Sequence, residues 1–249
     1  MCIPNYSNRK KVNQRGNNYF DMNLKQQAAS RALEFVQSGM VVGLGTGSTT
    51  RIFIDSLGEK IKAGELHGIK GVPTSIASAA QARALGISLT TLSENPQLDI
   101  AIDGADEVDP KLNLIKGMGG ALLREKIVVI FARTFIVIVD ESKLVSNLGL
   151  SSPLPVEIVQ FEAEAHVRWL SSLDCEAHLL RDEYGNLVET DNKNYLVHCL
   201  FPNGIRNVDE LADKLANRPG IVEHGLFLNM ANKVVVAGSS GTRILEREE

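Results

Sequence analysis

Apolar residues first recur at helical spacing at Leu24, Ala28, Ala32, Phe35 and Val36, which predicts a helix that begins near Met22 and is stopped by Gly39. Residues 40–44 form a short apolar run bounded by glycine, the pattern of a buried strand. A Gly/Thr/Ser loop follows at 45–49, then a helix through Leu57. The same reading predicts a strand at 69–73, a helix near 75–85, and strands at 87–92 and 99–102, the last ending in Asp103. A helix at 121–132 and a strand at 135–139 ending at Asp140 complete this stretch. Strand–helix alternation of this kind predicts a parallel sheet covered by helices. In such sheets functional loops gather at the carboxyl ends of the strands. The polar clusters after Leu44, Pro73, Ile102 and Val139 fall there.

The texture changes after Pro153 and Pro155. A strand at 156–161 and a helix at 163–172 precede two strands, 176–181 and 195–201. These flank a polar connection containing Tyr184-Gly185-Asn186. A helix at 208–216 and a strand at 221–228 complete what reads as a small α+β insert. Residues 234–237 read as a final strand returning to the first sheet. The expected organisation is therefore α/β: an N-terminal tail at 1–21, a main domain of 22–153 plus 229–249, and a small domain at 154–228.

Composition narrows the function classes. Of 249 residues, 44% are hydrophobic and 22% charged, as in an ordinary globular chain long enough for a sizeable core. The net charge of −4 gives no bulk electrostatic reason to bind nucleic acid or an anionic membrane. Any phosphate must be held by a local pocket. The three cysteines, Cys2, Cys175 and Cys199, are odd in number and form no CxxC, which favours reduced thiols in the cytoplasm. No apolar run approaches the ~18 residues of a membrane span. The first 21 residues carry Arg9, Lys10, Lys11 and Arg15 with no acid before Asp21, but lack the apolar face of a transit peptide. They read as a disordered tail.

Four motifs carry candidate chemistry. In Gly43-Leu44-Gly45-Thr46-Gly47-Ser48-Thr49-Thr50, a strand runs through a glycine-rich turn into a helix start. That is either a tight turn with an N-cap or a cradle of free N–H groups for an anion. It is neither a Walker A loop nor a dinucleotide fingerprint, since the lysine and the third glycine are missing. In Asp103-Gly104-Ala105-Asp106-Glu107, acids crowd at a strand end, as helix caps or as a polar pocket. In Lys116-Gly117-Met118-Gly119-Gly120, glycines let backbone approach a ligand. Glu125 falls on the helix that follows; a helical glutamate is ordinarily solvated, but this one has an acidic cluster, a lysine and a glycine loop as neighbours. In Asp140-Glu141-Ser142-Lys143, the acids cap a helix start, or Lys143 contacts a ligand. The five histidines are scattered outside these loops, so no histidine base or zinc site is expected, and no GxSxG occurs.

Together, in this order, the four motifs resemble the ribose-5-phosphate isomerase A family, with Pro155-Val156-Glu157, Thr190-Asp191-Asn192 and Gly225-Leu226-Phe227 in further agreement. The resemblance runs from about Met22 to the C-terminus. It implies a Rossmann-like parallel-sheet domain with a smaller, ferredoxin-like α+β domain, and a homodimer or homotetramer. It implies interconversion of D-ribose 5-phosphate and D-ribulose 5-phosphate through an enediolate, in the non-oxidative pentose phosphate pathway, with no metal and no organic cofactor. It assigns the catalytic glutamate to Glu125; in the mechanism expected from it, Lys116 stabilises the enediolate, Asp103 handles protons on the sugar oxygens, including ring opening, and Asp106 orients hydroxyls or Lys116. Substrate contacts fall on Thr46, Gly47, Ser48 and Thr49; on Asp103, Gly104, Ala105 and Asp106; and on Lys116, Gly117, Met118 and Gly119. Lys143 and Lys25 fall at the phosphate. Two positions depart from the family pattern: Lys193, where glycine is common, and His198, where aspartate is common.

Two other classes remain in view at this level. One is a related enzyme, an aminosugar-phosphate deaminase or a coenzyme A transferase. The other is the sugar-phosphate sensor domain of a transcription regulator, opposed by the net charge and by a tail too short for a helix-turn-helix.

Overall fold

The computed structural model describes residues 14–247. Helix α1 (Gln14–Leu33) leads into β1 (Val41–Leu44), α2 (Ser48–Lys62), β2 (Lys70–Pro73), α3 (Ile76–Ala84) and the short β3 (Ser88–Leu89). Next come β4 (Ile100–Asp103), β5 (Glu107–Val108), β6 (Leu114–Ile115), α4 (Leu122–Ile130), β7 (Phe135–Asp140) and a 3-10 turn at Glu141–Lys143. The chain continues through β8 (Leu154–Ile158), α5 (Ala163–Ser171), β9 (Glu176–Leu179), β10 (Tyr195–Leu200), α6 (Val208–Ala216) and β11 (Ile221–His224). It closes with β12 (Leu226–Phe227), β13 (Lys233–Gly238) and β14 (Gly241–Glu246).

The largest sheet has the order β14-β13-β7-β4-β1-β2-β3. Its neighbours pair in parallel except β13 with β14. From β1 the chain winds outward to β2 and β3, then returns to lay β4 on the other side of β1. A crevice opens at such a reversal, at the carboxyl ends of the strands. All six residues of β7 are buried, as expected for a strand covered on both faces. On one face Leu24, Ala28 and Ala32 of α1, with Phe53 and Leu57 of α2, pack on Val42, Ile102 and Ile138. On the other, Val129 of α4 and Phe227 pack on Val137, Val139 and Val236. Fully burying a Val, Leu, Ile or Phe side chain contributes roughly 1.5–3 kcal/mol.

A four-stranded antiparallel sheet, β11-β8-β10-β9, is covered by α5 and α6 through Leu170, Leu211 and Leu215. A three-stranded sheet, β12-β6-β5, takes β5 and β6 from the chain between β4 and β7, and β12 from between β11 and β13.

Several sequence expectations are corrected. Helix α1 starts at Gln14, ahead of Met22, so residues 14–21 of the expected tail are helical; residues 1–13 lie outside the described residues. The expected strand 221–228 is two strands in two sheets, broken at Gly225. A Cβ there would sit 2.2 Å from the Lys116 carbonyl oxygen, and the Gly225 carbonyl accepts from the Lys116 N–H at 2.9 Å. Residues 234–237 are not the last strand. The antiparallel β14 follows, and its mostly exposed residues carry no apolar alternation. In place of a strand at 87–92, only Ser88–Leu89 pairs, at the sheet edge.

Lys193 occupies the left-handed region, with φ 64°, in the turn that its N–H closes on the Thr190 carbonyl. The turn keeps a geometry suited to glycine while carrying a side chain. Lys193→Gly is expected to raise stability by about 0.5–1 kcal/mol, the left-handed penalty less the backbone entropy of glycine. A higher urea midpoint with unchanged slope is the expected reading; an equal or lower midpoint would show the turn to be unstrained.

Candidate active site

Three central strands deliver their carboxyl ends to one place. After β1, Gly45 crosses directly over Asp103 at the end of β4; a Cβ on it would lie 2.2 Å from the Asp103 carboxyl carbon. Thr46 N–H donates to Asp103 Oδ1 at 3.0 Å. Thr46 Oγ1 makes 2.8 Å hydrogen bonds with Thr74 Oγ1 and Ser75 Oγ, on the loop that follows β2. Helix α2 then starts from Gly47, which supplies no side-chain cap. Its first-turn N–H groups are therefore open to an anion, at the positive end of the helix dipole.

A cavity of about 130 Å³ sits on this loop. Thr46, Gly47, Ser48, Thr49 and Thr50 form one wall, joined by Lys25 from α1 and Lys143 from the turn after β7. Gly104, Ala105 and Asp106 form a second wall, and Lys116, Gly117, Gly119 and Glu125 a third. The lining thus combines two ammonium groups and a bare helix start with a carboxylate–lysine cluster. Asp103 and Met118 are absent from the lining. Asp103 is buried against Lys116, and Met118, its side chain half-exposed, donates its N–H to Asp106 Oδ2 at 3.1 Å. The hollows beside α6 and between α3 and α4 are larger, but no buried charged side chain lines either.

The cluster holds three ionisable groups at 1–2% exposure: Asp103, Lys116 and Glu125. Lys116 Nζ lies 2.9 Å from Asp103 Oδ2 and 3.3 Å from Glu125 Oε2, and donates to the Gly104 carbonyl at 2.6 Å. Asp103 Oδ1 is occupied by the N–H groups of Thr46 and Gly104 and the Thr50 hydroxyl. Asp103 Oδ2 and Glu125 Oε2 have no aligned hydrogen bond; the ammonium charge holds them. Burial alone would lower the Lys116 pKa, but Asp103 and Glu125 outweigh it and raise it above the ordinary lysine range. Glu125 moves the other way for a carboxylate. Burial first, and then the charge of Asp103, push it up to about 8 against the opposing pull of Lys116. One buried cation cannot neutralise two buried anions. Asp103 accepts from three donors at Oδ1, whereas burial raises Glu125 into the range where it binds and releases a proton near neutral pH.

Sequence reading missed Thr50, Thr74 and Ser75. Thr50 donates to Asp103 and accepts from Gly104 N–H at 3.1 Å. The polar cluster after Pro73 marked the second pair, but its contact with Thr46 depends on β1 and β2 being neighbours.

Lys116→Met would leave Asp103 and Glu125 buried without their cation. The expected cost is about 3–5 kcal/mol, as for other broken buried pairs. Protonating the stranded carboxylates relieves it, so the deficit should shrink from pH 8 to pH 5. Urea midpoints of the two proteins at both values check this; a deficit independent of pH would contradict the charge account.

Comparisons with known proteins agree with this geometry. Residues 70–241 match the family model described as ribose 5-phosphate isomerase A (phosphoriboisomerase A). A probable ribose-5-phosphate isomerase 2 of Arabidopsis thaliana is 47% identical over 226 residues, 89% of this chain and 85% of that protein. The ribose 5-phosphate isomerase of Plasmodium falciparum superposes with a TM-score of 0.88 at 38% identity, over 92% of this chain and 100% of that one. A D-ribose-5-phosphate isomerase solved in complex with phospho-erythronic acid superposes at 0.87 with 42% identity, covering 90% and 98%. With the glycine-rich anion loop, the buried Asp–Lys–Glu cluster and the parallel sheet all in agreement, the chain belongs to the ribose 5-phosphate isomerase A family.

Proposed function

We propose that this protein interconverts D-ribose 5-phosphate and D-ribulose 5-phosphate, with Glu125 as the proton-transferring base. The observation that carries this is one cavity lined both by a buried carboxylate, 3.3 Å from a buried ammonium, and by a bare helix start with Lys25 and Lys143. The first pair suits proton transfer at carbon and the second group a phosphate. The solved relative that holds phospho-erythronic acid binds a ligand with a phosphate and an acid group on one sugar chain, which supports this division.

The phosphate sits on the N–H groups and hydroxyls of Ser48 and Thr49, with Lys25 and Lys143 as counter-charges. Thr46, Gly47, Gly104, Ala105, Gly117 and Gly119 shape the walls. In the open-chain aldose, Glu125 takes the proton from C2. The C–H electron pair becomes the C1–C2 double bond, and the C1 oxygen takes the negative charge. Lys116 and the N–H groups of the glycine turn stabilise that charge, a contribution that commonly exceeds the proton transfer itself. Glu125 returns the proton to C1, and one proton passes from the C2 hydroxyl to the C1 oxygen, completing the ketose. Asp106, in the cavity lining, orients hydroxyls or Lys116. Asp103, paired with Lys116, handles protons on the sugar oxygens, including ring opening. A base with a pKa near the working pH combines adequate ionisation with adequate strength.

Residues 154–228 are, in this reading, the module through which a homodimer or homotetramer assembles. A cytoplasmic location is part of the same reading, supported by the free, buried thiols Cys175 and Cys199. Among the described residues no helix is long and apolar enough to cross a membrane.

Glu125→Gln keeps the shape of the side chain and removes the base. Turnover of ribose 5-phosphate, followed with EDTA present, should fall by about 10²–10⁴-fold, the usual worth of general base catalysis, while substrate still binds. Near-normal turnover by this variant would remove Glu125 from the role.

A further inference from the structure

Arg124 directly precedes Glu125 on α4, and its guanidinium is held by the loop between β9 and β10. Arg124 Nε donates to Asn192 Oδ1 at 2.8 Å and Nη2 to the Asp191 carbonyl at 2.9 Å, while Nη1 lies 3.3 Å from Asp191 Oδ2. The same Asp191 Oδ2 accepts the N–H of Ile76, the first residue of α3, at 2.7 Å. Ile76 follows Ser75, whose Oγ meets Thr46 Oγ1 on the anion loop. One short loop of the smaller sheet thus reaches the base on one side and the anion loop on the other.

The loop is itself anchored. Glu157 of β8 is fully buried, and its Oε1 accepts from Thr190 Oγ1 at 2.9 Å, Asn192 Nδ2 at 3.1 Å and Asn194 Nδ2 at 2.9 Å. Helix α4, by contrast, has only nine residues, and its N-cap residue, Ala121, makes no side-chain cap. Its rotation is tied by the Lys126 ammonium, which donates to Glu223 Oε1 and the His224 carbonyl at 2.7 Å each, and by a planar guanidinium with three contacts on one loop.

We propose that Asp191 and Asn192 are positioning residues for the isomerisation. They act through Arg124 to set Glu125 against Lys116, and through Ile76 and Ser75 to set Thr46. The smaller sheet is therefore part of the catalytic apparatus and not only a surface for assembly. Glu125 sees the substrate C–H bond and Lys116 at fixed distances, and a misplacement of about 1 Å from a remote change can cost on the order of 10²-fold in rate. This inference rests on the reading of Glu125 as the base.

The test is steady-state kinetics on ribose 5-phosphate, with thermal unfolding, for the full chain and for Arg124→Lys and Glu125→Gln. Lysine keeps the charge of Arg124 and loses its fork. The expected result for Arg124→Lys is a kcat about tenfold lower with KM within twofold, in a protein whose thermal midpoint stays near the parent's. A kcat within twofold of the parent's, whatever happens to KM or the midpoint, overturns the proposal and leaves a simple structural tie. If Arg124→Lys does not fold, Asn192→Ala removes one arm of the fork and is judged by the same criteria. Glu125→Gln separates the two readings. Retained turnover there sinks the base assignment, whereas lost turnover there alongside parental kcat in Arg124→Lys sinks only the positioning role.

Discussion

The Lys116 ammonium, buried between two carboxylates, is the interaction on which the rest of the site depends. Removing an ion from water costs several kcal/mol even after relaxation, and three such groups meet here at almost no exposure. The cluster persists because each partner has a fixed position. Asp103 is tied by three donors, Lys116 is tied to the Gly104 carbonyl, and Glu125 stands on a helix. The imbalance of charge has a consequence for protonation. Two anions competing for one cation leave the less well bonded of them, Glu125, ready to exchange a proton near neutral pH. A residue that would be an unremarked surface acid on another helix has its pKa raised by its surroundings.

The topology makes that meeting possible. Asp103, Thr46 and Lys143 come from loops after neighbouring strands, with β1 and β4 on either side of the point where the winding reverses. Lys116 comes from the three-stranded sheet, where its backbone pairs with Gly225. That contact requires a residue without a side chain, and it is also the point where the chain leaves the four-stranded sheet. Packing and chemistry therefore share residues. The close approaches at Gly45 and Gly225 hold the acid and the lysine at ion-pair distance.

Much of the larger sheet can be read from the chain because its central strands are buried on both faces and helices α2 and α4 are amphipathic. The runs at 40–44 and 135–139 therefore stand out. The anion loop and Glu125 are legible as motifs, although only the family resemblance singles out Glu125 among the acids. What could not be read has physical causes. β5, β6 and β12 are two residues long and carry no period. β14 is mostly exposed. Gly225 looks like an interior strand glycine until Lys116 is placed beside it. The Arg124–Asp191 contact joins residues far apart in sequence, and no local pattern announces it.

A direct test of the account is the ionisation of Glu125 itself. Carbon-13 NMR of the labelled free protein, with the Glu125 carboxyl assigned by its loss in Glu125→Gln, follows this one group as pH is raised. The charge imbalance around Lys116 predicts a midpoint near 8. A midpoint in the ordinary glutamate range, about 4.3, would show that Lys116 neutralises both carboxylates, and would contradict the claim that their competition makes Glu125 the base.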